Sequence, residues 1–410
     1  MSKRLPRLRA NLDFMPSPVP DRPGLLIRDA YHYSDATLII PPQLVESLRC
    51  FDGETTDLEL RAELVRITGD LQVGELEKNI IETLAGGGFL EDETYARLRE
   101  ERHRQFAAEP RREPSHVGSA YPEEPGPLRE TLGQWMNGGS AGANNGTNGG
   151  LIGIAAPHVS PEGGWHSYQA AYSALAPEYK DRTFVILGTS HYGEPERFGL
   201  TRKPFATPFG ESAVDLRLVD ALVKGAPDAI LMEDYCHSIE HSIEFQVLFL
   251  QYLYGPDIRI LPILCGSFAQ SIYRGGAPEA DEKVRRFLGT LGDLAAKEGD
   301  RLLWVLGIDM AHMGRRYGDT FTAIADRGEM SAVAERDRRR IDRINASDVK
   351  GFWDLVQERQ DDLKWCGSSP LYTFLHAVPH ARGALHRYEQ WNIDEQSVVS
   401  FAGISFSKES

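Results

Sequence analysis

Three short apolar runs in this chain each end within a few residues of a histidine, and nothing else in the sequence restricts the fold as strongly. Leu151-Ile152-Gly153-Ile154-Ala155-Ala156 leads into Pro157-His158, and Thr183-Phe184-Val185-Ile186-Leu187-Gly188 leads into Thr189-Ser190-His191. Leu302-Leu303-Trp304-Val305-Leu306-Gly307-Ile308 leads into Asp309 and then His312. Short continuous apolar runs read as strands of a parallel sheet covered on both faces. Ligands of such sheets bind just past the carboxyl ends of the strands. A single histidine there reads as a strand cap. Three of them, delivered to one sheet edge, read as a metal or acid–base site.

The chain has 410 residues, which suits two domains. Its 41% hydrophobic and 26% charged residues are ordinary for a globular protein. A net charge of −15 argues against nucleic acid and against an anionic membrane surface as partners. No stretch approaches the roughly 20 apolar residues of a membrane span. The basic start, Lys3-Arg4-Leu5-Pro6-Arg7, is followed by Asp13, Pro16, Pro18 and Pro20 instead of an apolar segment, so it does not read as a secretory signal. Cys50, Cys236, Cys265 and Cys366 are scattered without CxxC spacing. Reduced thiols and a cytoplasmic location are the expectation.

Residues 1–95 form one expected domain. Leu25 to Asp29 and Thr37 to Ile40 are strand candidates. Helical segments follow at Pro42 to Phe51, Thr56 to Thr68 and Val73 to Leu84, the last stopped by Gly86-Gly87-Gly88. Phe89-Leu90 reads as a closing strand, and the set suggests a small winged-helix-like α+β domain. Residues 96–114 are highly charged and close with Pro110 and Pro114, as an exposed helix and linker would. From 115 to 410 strands alternate with helices, implying an α/β domain with a mainly parallel sheet flanked by helices. The Gly/Asn-rich stretch 137–150 reads as a flexible loop inside that domain.

Two further patterns carry chemistry. His237-Ser238-Ile239-Glu240-His241 fits the H-x-x-E-H signature of zinc peptidases, in which histidines one helical turn apart bind the metal. The same stretch also reads as a plain amphipathic helix with Ile239, Ile243, Val247 and Leu250 on one face. Cys366 precedes an apolar helix from Leu371 to Val378, where a thiolate is favoured by free backbone N–H groups.

Leu48-Arg49-Cys50-Phe51-Asp52-Gly53, the helix pair and Gly88-Phe89-Leu90 give residues 25–95 a resemblance to PqqD-like domains. That likeness implies a precursor or partner peptide added as a strand to a sheet edge. A more specific likeness runs from Ser115 onward. Ser115-His116-Val117-Gly118-Ser119 with Tyr121-Pro122, Ala156-Pro157-His158, Gly188-Thr189-Ser190-His191, Glu240-His241-Ser242-Ile243-Glu244, Leu261-Pro262-Ile263-Leu264-Cys265-Gly266, Asp309 with His312 and Gly314, and Cys366-Gly367 appear in order. With these the chain resembles the Memo family, protein B of the AmmeMemoRadiSam gene set, which is similar in fold to class III extradiol dioxygenases.

The resemblance assigns His158, His191 and Cys366 to metal positions, His312 and Asp309 to catalytic positions, and Glu240, His241 and His116 to the cleft around them. It implies one divalent or low-valent metal. Fe(II) is the first expectation, and Cu or Zn compete because a thiolate replaces the relatives' carboxylate. The implied function is a non-haem iron redox or oxygenase-type enzyme in a radical-SAM-associated pathway, with a radical-SAM enzyme as a partner and an unknown substrate. A non-catalytic peptide-binding scaffold using the same cleft is the alternative, and a zinc peptidase through His237, Glu240 and His241 is third. Departures such as Val159-Ser160-Pro161 after His158 and Gly307-Ile308 before Asp309 remove no proposed ligand.

Overall fold

A computed structural model describes residues 2–137 and 150–408. The chain divides into two compact units, residues 1–108 and 109–410. The stretch 137–150 read as a flexible loop lies almost wholly outside the described residues.

The N-terminal unit has a three-stranded antiparallel sheet, β1 (Leu12–Pro16), β2 (Leu25–Asp29) and β3 (Thr37–Ile40), in that spatial order. The first expected helix, Pro42–Cys50, is a 3-10 run. Helices Asp57–Thr68 and Gly74–Gly86 follow, and Leu60, Leu64, Ile80 and Leu84 bury their inner faces. The Asp57–Thr68 helix starts where it does because Thr56 forms a capping box. The Thr56 N–H donates to the Glu59 carboxylate at 2.8 Å, and the Thr56 hydroxyl oxygen accepts from the Glu59 backbone N–H. Phe89 and Leu90 make only an isolated bridge, Leu8 with Leu90. The charged stretch from 96 begins inside a helix, Glu93–Ala108, that belongs to this unit.

The larger unit carries β4 (Leu151–Ala156), β5 (Thr183–Thr189), β6 (Phe198–Leu200), β7 (Phe205–Thr207), β8 (Gly210–Val214), β9 (Ile230–Met232), β10 (Arg259–Cys265), β11 (Leu302–Gly307), β12 (His312–Gly314), β13 (Ala381–Asp394) and β14 (Ser397–Lys408). Spatial order along the main sheet is β12-β14-β4-β11-β5-β10-β6-β9, with β13 paired to β14 and β8 to β10. The centre, β4-β11-β5-β10, is parallel, and antiparallel strands occupy both flanks. All seven residues of β5 and all six of β11 are buried, which is why they read as unbroken apolar runs. Helices on both faces complete the α/β architecture.

Register places the site. Ala156 of β4 lies beside Gly307 of β11, and Gly307 lies beside Gly188 of β5. The carboxyl ends of three neighbouring strands are therefore level, and each releases its chain into the same crevice. Two glycines clear the floor of that crevice. A Cβ on Gly188 would stand 2.5 Å from the Ser242 hydroxyl, and one on Gly307 would stand 2.1 Å from the Ser242 carbonyl. Only bare backbone at both positions lets the 240–243 turn rest on the strand ends.

Candidate metal centre

His158 follows β4 by two residues and is 1% exposed. Its backbone N–H, and that of Val159, donate to Asp309 Oδ1 at 2.9 and 3.2 Å. Its Nδ1 lies 2.9 Å from the Gly307 carbonyl, which only accepts. The proton therefore sits on Nδ1, and Nε2 presents a lone pair.

His191 follows β5 by two residues and lies at the solvent edge. Its Nδ1 is 3.1 Å from both oxygens of Glu240, whose carboxylate also accepts from the His191 backbone N–H at 3.0 Å. His241 places its Nδ1 3.2 Å from Glu240 Oε1. One buried carboxylate thus takes the outer nitrogen of two imidazoles and leaves both Nε2 atoms to turn inward.

The His158, His191 and His241 rings stand 5.0 to 5.2 Å apart between centroids. His191 and His241 are nearly parallel, and His158 is edge-on to both. One nitrogen from each lies within 4.8 Å of the others, so the three offer the donor set of a metal site. His241, assigned by the resemblance to the cleft lining and named as a ligand only in the peptidase reading, stands inside this set. Cys366 is adjacent: its Sγ is 3.2 Å from His158 Nε2 and 3.7 Å from the Asp309 carbonyl. The sulfur and that imidazole are 208 residues apart in sequence.

The electrostatics suit a thiolate. Burial raises the Cys366 thiol, but the imidazoles of His158 and His191 outweigh it and hold the thiol below its ordinary value. Burial opposes ionisation of Glu240 as well, yet His191, His241 and a backbone N–H keep it well below the usual carboxylate range. Burial lowers His191, and Glu240 and Cys366 more than reverse that. His241 is pushed well down by burial, aided by the neighbouring imidazoles.

Asp309 and His312 line the same cleft. Burial pushes the Asp309 carboxyl up to about 6 and pushes His312 down. His312 Nδ1 is 3.0 Å from the Met310 carbonyl and 3.1 Å from the Lys364 carbonyl, so its Nε2 is also left bare. The Tyr317 ring meets His312 edge-on at 5.0 Å. His116 sits at the rim, 5.3 Å from His241, with Nδ1 2.8 Å from the Ser115 hydroxyl.

The H-x-x-E-H expectation fails on geometry. The helix around it ends at Ile239, Glu240 is extended, and a new helix begins only at Glu244. His237 and His241 therefore do not share a helix face. His237 Nε2 lies 3.1 Å from the Gly199 carbonyl, and its ring packs edge-on against Phe205, away from the cluster. Burial drops its imidazole to about 4. An unfolded His titrates near 6.5, so the unfolded chain binds more protons between about 6.5 and 4. Stability is therefore lost as pH falls through that window, by about 3 kcal/mol in full. Denaturant melts at pH 7 and pH 5 should show a shallower pH dependence in His237→Gln; an unchanged slope contradicts this.

Arg112, placed by its charged neighbours in the linker, is fully buried in the larger unit. Its backbone bridges to Phe205, its Nε donates to the His237 carbonyl at 2.8 Å, and an Nη donates to the Glu240 carbonyl at 2.8 Å. The other Nη pairs with Glu244 at 2.5 Å. Glu244 in turn accepts from the Ser115 and His116 backbone N–H groups and from Tyr121. This pair clamps the turn that carries Glu240 and His241. Its only sequence signal was that Arg112 lies three residues before the Ser115-His116 motif.

Residues 112–405 match the family model described as Memo-like protein, and the chain belongs to the Memo family. A MEMO1 family protein of Aquifex aeolicus is 26% identical over 385 residues, covering 93% of this chain and 95% of its own length. That of Methanosarcina mazei is 29% identical over 261 residues, covering 62% of this chain and 85% of its own. The MEMO1 family protein TK1477 of Thermococcus kodakarensis is 30% identical over 269 residues, covering 62% and 86%. Among solved structures, the uncharacterized protein JW3007 of Escherichia coli K12 aligns with a TM-score of 0.37 at 13% identity, covering 62% of this chain and 99% of that one.

Proposed function

We propose that the chain is a non-haem iron protein of redox or oxygenase type, holding one Fe(II) through His158, His191 and Cys366 with His241 beside them. The observation that carries this reading is the meeting of Cys366 Sγ with His158 Nε2 at 3.2 Å, in a cluster whose outer nitrogens are already engaged. Donor atoms around one tetrahedral ion stand about 3.5 Å apart, so the residues fit the group. The soft thiolate also matches Cu(I) and Zn(II). Bound iron supplies the redox chemistry. The chain's own residues do the rest: Glu240 orients two imidazoles, Asp309 fixes the His158 loop, and bare His312 Nε2 handles a substrate proton.

The test is oxygen uptake by chain loaded with Fe(II) without air, with and without catechol as a probe. Uptake above that of free Fe(II), lost in Cys366→Ala, is expected. Uptake equal to free iron in every case removes the oxygenase reading and leaves the scaffold one.

The N-terminal unit supports a second role. No strand among the described residues pairs with the outer edge of β3, which suits strand addition by a precursor or partner peptide. A radical-SAM enzyme encoded nearby would modify that peptide. The Aquifex relative aligns far into this unit, whereas the Methanosarcina mazei and Thermococcus relatives match 62% of the chain. On this reading recruitment belongs to a unit that some relatives do not match. No described helix is long and apolar enough to cross a membrane.

A further inference from the structure

We propose, on the metal reading above, that Asp337 is a positioning residue: one buried carboxylate that ties the loop carrying Cys366 to the loop carrying Asp309 and His312. Asp337 lies on the helix Glu329–Asn345, outside every motif that marks the centre, and is fully buried. Its Oδ1 accepts from Trp365 Nε1–H at 2.7 Å. Its Oδ2 accepts from the Ser400 hydroxyl at 2.6 Å and the Tyr388 hydroxyl at 2.7 Å.

Two of these partners lead to the centre. Trp365 immediately precedes Cys366. Ser400 holds the other loop three times. Its hydroxyl oxygen accepts from the Ala311 N–H at 2.9 Å, its carbonyl accepts from the Met310 N–H at 2.8 Å, and its own N–H donates to the Ala311 carbonyl at 2.9 Å. The two loops then touch directly, the Gly367 N–H donating to the Asp309 carbonyl at 3.0 Å.

The Cys366 loop needs such an anchor. Arg359, Gln360, Asp361 and Lys364 all have φ between 52° and 58°, a left-handed conformation that non-glycine residues hold only where their surroundings impose it. Trp365 is gripped at both ends: its backbone N–H donates to Asp361 at 3.0 Å and its indole to Asp337. Arg340, 2% exposed, lies 5.1 Å over the indole ring and donates to Asp361 at 2.8 Å. An indole N–H only donates, and the fixed Asp337 carboxylate is the acceptor that holds it in one place. Removing the carboxylate therefore frees the indole and, with it, the sulfur on the next residue.

Co(II) titration of the full chain tests this, read as the near-ultraviolet sulfur-to-cobalt charge-transfer band and as Kd, with melting curves alongside. Asp337→Ala should weaken Co(II) binding about ten-fold or more and diminish the band. Asp337→Asn, which still accepts from Trp365 while the two hydroxyls turn to accept from its amide, should restore both. Should Asp337→Ala not fold, Trp365→Phe decides, because it removes the indole N–H while keeping an aromatic ring at that position, and should show the same loss. Variants with the parent's band and Kd overturn the inference alone. A parent chain with no sulfur band overturns the metal reading and this inference together.

Discussion

His158→Ala should lose its metal. Chain purified without air should hold about one ion in the parent and close to none in this variant, with affinity lowered at least about 100-fold. Outer-shell changes alone cost ten- to a hundred-fold, and His158 is the imidazole in direct contact with the sulfur. Cys366→Ala should behave alike, while His237→Gln should keep its metal, because that imidazole is spent on Gly199. Elemental analysis of the three variants beside the parent reads all of this. Metal retained in both His158→Ala and Cys366→Ala contradicts the assignment, and metal lost in His237→Gln contradicts the separation of His237 from the cluster.

Arg112→Ala should strongly destabilise the larger unit. It strands the Glu244 carboxylate, side chain 1% exposed, without its guanidinium. Breaking one partner of a buried pair costs about 3–5 kcal/mol. Two backbone carbonyls, of His237 and Glu240, lose their donors as well. Replacing both members, as Arg112→Met with Glu244→Met, should recover part of the loss, because no lone buried charge remains. Denaturant melts check this; a loss below about 1 kcal/mol in Arg112→Ala would show that the clamp is not needed to hold the Glu240 turn.

The centre was legible where strands announce their ends. β4, β5 and β11 are unbroken apolar runs, and the residues just beyond them, His158, His191 and Asp309, meet in the crevice as the parallel-sheet rule requires. The peripheral strands were not legible. β13 reads Ala-Arg-Gly-Ala-Leu-His-Arg-Tyr-Glu-Gln-Trp-Asn-Ile-Asp, because it pairs only with β14 and carries the polar residues of an edge strand. β1 was hidden by the prolines around it, although Pro16 at its last residue is tolerated where no ladder N–H is needed. His241 was misplaced because a helix through 237–241 would have paired it with His237, and nothing in the local spacing shows that Glu240 turns extended to bridge two imidazoles. Asp337 and Arg112 act from afar through buried hydrogen bonds, which leave no periodic trace in a sequence.

X-ray absorption at the metal edge of the loaded chain addresses the convergence of sulfur and imidazole most directly. One sulfur at about 2.3 Å together with nitrogen neighbours at about 2.0–2.1 Å is the expected result for zinc-loaded chain, with the sulfur gone in Cys366→Ala. A shell of nitrogen and oxygen alone in the parent would contradict it.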